Sequence, residues 1–206
     1  ADLATLHALP VSKLQSRVVR ETYDIGFGEA LHANLRKLEC CKDRDPIILN
    51  LQSIVLPKLE HINHFWSNLC EHHAAALRSE YEVVLCHGDV WGGNIMDRQD
   101  SLVWIDWESA ILAPAERDLF SYMGSEYAAF RRAYAEQRRI DLSLNPNLVA
   151  FYACRHQLRN LNQWLHNLLN ENYGTEQKHN DLEMIEFHCL DRWPSIEATI
   201  EQLFHE

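Results

Sequence analysis

The chain is short of residues that break regular structure. Its 206 residues hold 7 glycines and 6 prolines, too few for a collagen-like or Pro/Gly-rich disordered polypeptide. No apolar run reaches the roughly 18 residues a membrane-spanning helix needs. No basic segment leads into an apolar one at the N-terminus, so no secretory signal is expected. Positive charge is also scarce: 19 Lys and Arg face 30 Asp and Glu, a formal charge of −11. Nucleic-acid binding needs a basic face, so it is excluded as a function class, while a cationic partner is permitted. Six cysteines occur (Cys40, Cys41, Cys70, Cys86, Cys154 and Cys189), none in a C-x-x-C pair. A zinc site therefore has no support, and free buried thiols are expected rather than disulfides. The 12 histidines include His61 with His64 and the pair His72-His73 on predicted helices. No acidic partner follows in register, so they read as surface or core-edge residues.

What is present is long helical periodicity. Residues 21–39 are expected to form a helix. Asp45-Pro46 reads as an N-cap followed by proline at the first helical position. Ile47, Ile48, Leu51, Ile54, Val55, Leu59, Ile62, Phe65, Trp66 and Leu69 then recur at helical spacing, with Pro57 expected to split the run. Val83–Cys86 reads as a short strand and 87–94 as a Gly-containing loop. Ile95-Met96 and Leu102–Ile105 read as a β-hairpin closed over 97–101. Helices resume near Glu116. Asn145-Pro146 opens a long one with Leu148, Phe151, Tyr152, Leu158, Leu161, Leu165 and Leu168 on one stripe. Residues 171–180 read as turn, and a final helical region is expected to be interrupted at Pro194. The expected fold class is α+β, mainly helical, one domain with a small β insertion at its middle.

The chemistry concentrates between Val83 and Phe120. Its centre is Cys86-His87-Gly88-Asp89-Val90-Trp91-Gly92-Gly93-Asn94, and the next hairpin ends in Ile105-Asp106-Trp107-Glu108. An Asp, four residues and then Asn is the spacing of the kinase catalytic loop, with a second Asp at the end of the following hairpin. Phosphoryl transfer needs positioning and charge neutralisation more than covalent help. A carboxylate in reach of the attacking hydroxyl can take its proton. Magnesium favours hard oxygen donors, which an Asn carbonyl and an Asp carboxylate supply.

His-Gly-Asp-x-x-x-x-Asn followed by Ile-Asp-Trp-Glu resembles the aminoglycoside phosphotransferase and choline kinase family, which is protein-kinase-like. Leu3–His7, Arg20–Tyr23, Leu112–Leu119 and Phe151-Tyr152 with Arg155 are most similar to spectinomycin-type phosphotransferases. The resemblance implies that Asp89 is the catalytic base and that Asn94 and Asp106 hold Mg2+ and, through it, the phosphates of ATP or GTP. It implies that His87 braces the loop, that Asp118 ties the following helix to it, and that Glu108 supports the metal site. It further implies a cytoplasmic enzyme acting on a hydroxyl of a small, cationic molecule of aminoglycoside or aminocyclitol type. Asp89–Asn94 also resembles the Asp-Leu-Trp-x-Gly-Asn of ketosamine kinases, although Asp106-Trp107-Glu108 departs from their Asp-Pro-Ala; choline-type kinases are a further alternative.

The resemblance also implies a nucleotide lobe with a Gly-rich loop and a strand Lys. Neither precedes residue 83, so the expectation is a C-terminal lobe alone, inactive without its partner lobe. The non-enzymatic alternative is a fragment that only binds. Plainer readings stand beside the functional ones. Asp118 could only cap its helix. At least two of Trp91, Trp104 and Trp107 are expected to be packing. The Arg131-Arg132 and Arg138-Arg139 pairs are expected on solvated faces. Glu60, Glu126 and Glu171 are candidate contacts to a cationic ligand, or plain surface.

Overall fold

In the computed structural model, residues 2–14, 17–98, 101–122, 127–140 and 142–205 are described. Among them the chain forms helices α1 (Asp2–His7), α2 (Gly28–Cys40), α3 (Pro46–Val55) and α4 (Leu59–Ala76), then strands β1 (Val84–Cys86), β2 (Ile95–Arg98), β3 (Ser101–Trp104) and β4 (Ile111–Ala113). Helices α5 (Glu116–Leu119), α6 (Tyr127–Arg138), α7 (Pro146–Asn170), α8 (Thr175–Glu186) and α9 (Trp193–His205) complete it. The expected mainly helical α+β class is the one observed. The chain divides into two compact units, one of Ala1–Tyr23 with His73–Tyr152, the other of Asp24–His72 with Ala153–Glu206.

The second unit is all helix. The Asp45 carboxylate accepts from the Ile47 N–H at 2.8 Å, with Pro46 opening α3. Pro57 lies in a 3₁₀ turn, Leu56–Lys58, that separates α3 from α4, because proline cannot supply the helical N–H at that point. Leu158, Leu161, Leu165 and Leu168 are buried on α7 as the stripe requires. Phe65 and Trp193 stack at 4.1 Å in the core. Three boundaries differ from the expected ones. The first predicted helix starts at Gly28 rather than residue 21, since Glu21 and its neighbours are recruited to a strand edge. The stretch expected as a turn becomes helical at Thr175, because Leu182 and Ile185 supply a buried face that its polar start concealed. Pro194 opens α9 instead of breaking it, a position where its missing N–H leaves no helical bond unmade.

The first unit carries the β structure. β1 pairs antiparallel with β4, Val84 opposite Ala113 and Cys86 opposite Ile111. β4, missed in the sequence because its three residues are too short to show a period, also takes up the chain before α2. The Glu21 N–H donates to the Leu112 carbonyl and the Leu112 N–H to the Val19 carbonyl, both at 2.9 Å. The hairpin forms as expected, with Ile95 opposite Trp104 and Arg98 opposite Ser101; Gln99 and Asp100 of its predicted turn lie outside the described residues. Under these strands, Leu3 and Ala4 of α1 pack with Val90, Leu119, Tyr134 and Leu142. The core thus anchors the catalytic-type loop through Val90, its one apolar aliphatic residue. All six cysteines are free, and Cys86, Cys154 and Cys189 are buried.

Two expectations about charged side chains fail. Arg131 Nε donates to the Leu142 carbonyl at 3.1 Å, and Arg138 is nearly buried, donating to Glu82 at 2.8 Å and to the His7 carbonyl. Arg131 and Arg138 thus serve backbone carbonyls that need a donor, while Arg132 and Arg139 are exposed as expected. His7 and His87 are also fully inside rather than at a core edge.

Candidate active site

Strand β1 delivers the chain into a tight loop. Gly88 has φ +84°, and a Cβ placed on it would lie 2.1 Å from the Ser109 carbonyl oxygen. Only glycine meets both the left-handed backbone and the close approach. That geometry sets Asp89 immediately after a turn that packs against the Trp107–Ser109 segment.

The loop is held from below by Asp118 on α5. Its carboxylate is 1% exposed and accepts from the His87 N–H at 2.7 Å and the Gly88 N–H at 2.8 Å. It makes no capping bond at the helix start, so the plain reading of Asp118 as a cap does not hold. Charge-assisted bonds of this kind are each worth about 1.5–3 kcal/mol. Glu116, one turn-face away, accepts from the Asn145 N–H at 2.9 Å; burial raises its pKa above the ordinary value.

His87 ties the loop to the hairpin. Its Nε2 lies 2.9 Å from the Ile105 carbonyl, and the Asp89 N–H donates to Nδ1 at 3.4 Å. A carbonyl only accepts, so the proton sits on Nε2 and Nδ1 is the acceptor. Trp104 and Trp107 flank the imidazole at 5.3 and 4.6 Å between ring centres. The Trp107 Nε1–H donates to the Trp104 carbonyl at 3.0 Å. Trp104 is half-buried, whereas Trp107 is 42% exposed and Trp91 62% exposed, so packing accounts for Trp104 and only in part for Trp107.

Asn94 closes the loop. Its Nδ2 donates to the Asp89 backbone carbonyl at 2.9 Å and to Asp89 Oδ2 at 2.8 Å. Both amide hydrogens are thereby used, and the side-chain oxygen is the polar atom that remains. The Ile105 N–H donates to the Asn94 carbonyl at 3.0 Å, extending the hairpin ladder to the residue before Asp106. Asp106 itself is exposed and has φ +62° and ψ +66°. Left-handed backbone at a non-glycine residue is uncommon and concentrates at functional sites. Glu108 is exposed two residues further on.

The structure therefore brings Asp89, Asn94, His87 and Asp118 into one bonded network, with Asp106 and Glu108 just past the hairpin end. The donor set left over is all oxygen: the Asn94 carbonyl and the Asp106 and Glu108 carboxylates. That chemistry fits a hard divalent cation and not a soft one. Glu60 and Glu171 are exposed and belong to the other unit, Glu171 facing His166 at 3.2 Å. Glu126 lies outside the described residues. His7 entered the sequence reading only as the end of the Leu3–His7 likeness, with no role; it is 1% exposed and bonds to Asp118, and nothing in its local pattern points across more than a hundred residues.

The fold is protein-kinase-like. The chain belongs to the phosphotransferase enzyme family, which it matches over residues 2–152. Among solved structures it is similar to a spectinomycin phosphotransferase in complex with ADP and spectinomycin, with a TM-score of 0.71 and 18% identity. That likeness covers 98% of this chain and 62% of the other. An aminoglycoside phosphotransferase from Alicyclobacillus acidocaldarius is similar with a TM-score of 0.60 and 14% identity, over 99% of this chain and 64% of that one. A Plasmodium vivax ethanolamine kinase follows with a TM-score of 0.50 and 16% identity, over 95% and 58%. The chain thus spans less than two thirds of the length of the solved structures it matches. No curated protein matches it in sequence. No helix among the described residues is long and apolar enough to cross a membrane.

Proposed function

We propose that the chain is the C-terminal lobe of an ATP-dependent phosphotransferase that phosphorylates a hydroxyl of a small, cationic molecule of aminocyclitol or aminoglycoside type. The observation that carries this reading is the pair of hydrogen bonds that the Asn94 amide donates to Asp89. It aims one carboxylate oxygen by a fixed donor and leaves an amide oxygen for a cation beside it. Asp89 is the base: its carboxylate accepts the proton of the acceptor hydroxyl as the oxygen attacks. Asn94 and Asp106 are the residues that would hold Mg2+, with Glu108 supporting them. When bound, the ion would neutralise charge on the nucleotide phosphates. His87 holds the Asp89 backbone against the hairpin, and Asp118 holds the loop from the opposite side.

The charge of −11 favours a cationic acceptor by lowering its electrostatic work of approach. The test is Asp89→Asn in the full-length protein, with ATP consumption measured on spectinomycin, an aminoglycoside, choline, ethanolamine and a ketosamine. Turnover on the first two that vanishes in the variant, while ATP binding survives, is the expected result. Undiminished turnover by the variant refutes the assignment of the base. Turnover on choline or a ketosamine alone refutes the acceptor class and leaves the base standing.

A further inference from the structure

A buried polar chain runs from α6 to the loop. Tyr134 OH lies 2.7 Å from His7 Nδ1, and His7 Nε2 lies 3.1 Å from Asp118 Oδ2. Asp118 in turn receives the amides of His87 and Gly88. His7, Tyr134 and Asp118 are each 2% exposed or less. The partners fix the direction. A carboxylate only accepts, so in the neutral ring Nε2 carries the proton and the phenol donates to Nδ1. Burial pushes the Tyr134 phenol well above its ordinary pKa, which keeps it a donor. Arg138 donates to the His7 carbonyl, so α6 grips both the backbone and the ring of this residue.

We propose that His7 is a positioning residue. It orients the Asp118 carboxylate so that both oxygens face the loop amides, and thereby sets the place of Asp89. This rests on the phosphotransferase reading for its kinetic consequence but not for its structural one. The physical reason is geometric. A carboxylate can rotate about its last torsion, and the His7 Nε2–H on Oδ2 adds a third donor that opposes rotation away from the two loop amides. Cys86 Sγ joins His7 and Asp118 within 4.8 Å, a grouping that could in principle hold a metal ion. The His7 nitrogens and the Asp118 oxygens are already engaged with protein partners, so hydrogen bonding accounts for the cluster.

The test compares His7→Leu, which fills the space without polar atoms, with His7→Gln, whose amide can donate to Asp118 and accept from Tyr134. Two readouts are taken in the full-length protein: steady-state kinetics, and amide hydrogen exchange at His87 and Gly88. The expected result for the leucine variant is a kcat lower by about 10- to 100-fold, KM values within about twofold of wild type, and faster exchange at both amides. The glutamine variant restores both readouts. Wild-type exchange in the leucine variant, or a glutamine variant that behaves like leucine in both readouts, overturns the proposal. If wild-type protein turns over no acceptor, the phosphotransferase reading fails and exchange alone decides the relay. Should the leucine variant not fold, Tyr134→Phe, which removes the far donor, is judged by the same two readouts.

Discussion

Glycine 88 offers the sharpest test of how the loop is built. Replacing it with alanine meets two obstacles. Left-handed backbone costs an L-residue with a Cβ about 1–2 kcal/mol. The new Cβ would also sit 2.1 Å from the Ser109 carbonyl oxygen and 2.9 Å from its carbon. A carbon and an oxygen approach to roughly 3.3 Å even in the close contacts between strands, so about 1 Å must be found by moving backbone on one side. The backbone on one side is Asp89 and on the other the segment after Asp106, so either shift disturbs the site. A displacement near 1 Å costs about a hundredfold in rate when the group must be in place at the transition state. Gly92, four residues on, is the internal control: its Cβ would meet nothing within 4 Å. Gly88→Ala and Gly92→Ala are compared in thermal unfolding and in ATP turnover on the preferred acceptor. At about 2–4 °C per kcal/mol for a chain of this size, the first is expected to melt lower by several degrees and lose about two orders of magnitude in kcat. The second is expected to stay near wild type in both. Equal behaviour of the two variants would refute the account of the loop.

Two further predictions concern protonation and burial. Glu116 is buried, and its carboxyl is held above the ordinary value of 4.5 chiefly by desolvation, against the opposing Asn145 bond. A raised folded-state pKa gives stability that is full below the unfolded value and lost as pH rises through the folded one. Glu116→Gln stays neutral throughout and keeps an acceptor oxygen for the Asn145 N–H. Its melting temperature relative to wild type should therefore climb from about pH 4 to about pH 7, other groups cancelling in the difference; a gap that shrinks over that range contradicts the assignment. Burial pushes the thiols of Cys154 and Cys189 up to about 12 and raises Cys86 well above its ordinary value. Alkylation of the native protein should label Cys40, Cys41 and Cys70 and reach the other three only in denaturant; one uniform rate for all six would show that the thiols are not shielded by the fold.

Much of this was legible in the residues. Asp45-Pro46 and Asn145-Pro146 announced their helices because capping is a local event, settled within a few residues: the Asp45 and Asn145 side chains accept from the N–H two positions on. Asp89 and Asn94 meet in the structure because they lie five residues apart in one short loop, so their spacing was readable locally. The helical stripe of α7 told which side is core because its period is fixed at 3.6 residues. The failures share the opposite property. Arg20-Glu21 and Ile111–Ala113 are too short to carry a period; the first is held by a bridge to Leu112 and the second by pairing with Val84–Cys86. Arg138 looked like surface until the His7 carbonyl and Glu82 were brought to it.

By itself, the sequence determined the fold class, the two capped helix starts at Pro46 and Pro146 and the residue types at the loop, since these depend on local sterics, capping and periodicity. The tertiary structure alone decided what stands behind Asp118, the residue that ties the loop. The bonds from Tyr134 through His7 to Asp118 join residues 127 and 111 apart in the chain. Contacts at that separation leave no periodic trace, because nothing local requires them; they exist only once burial has removed water and each polar group must find a partner inside.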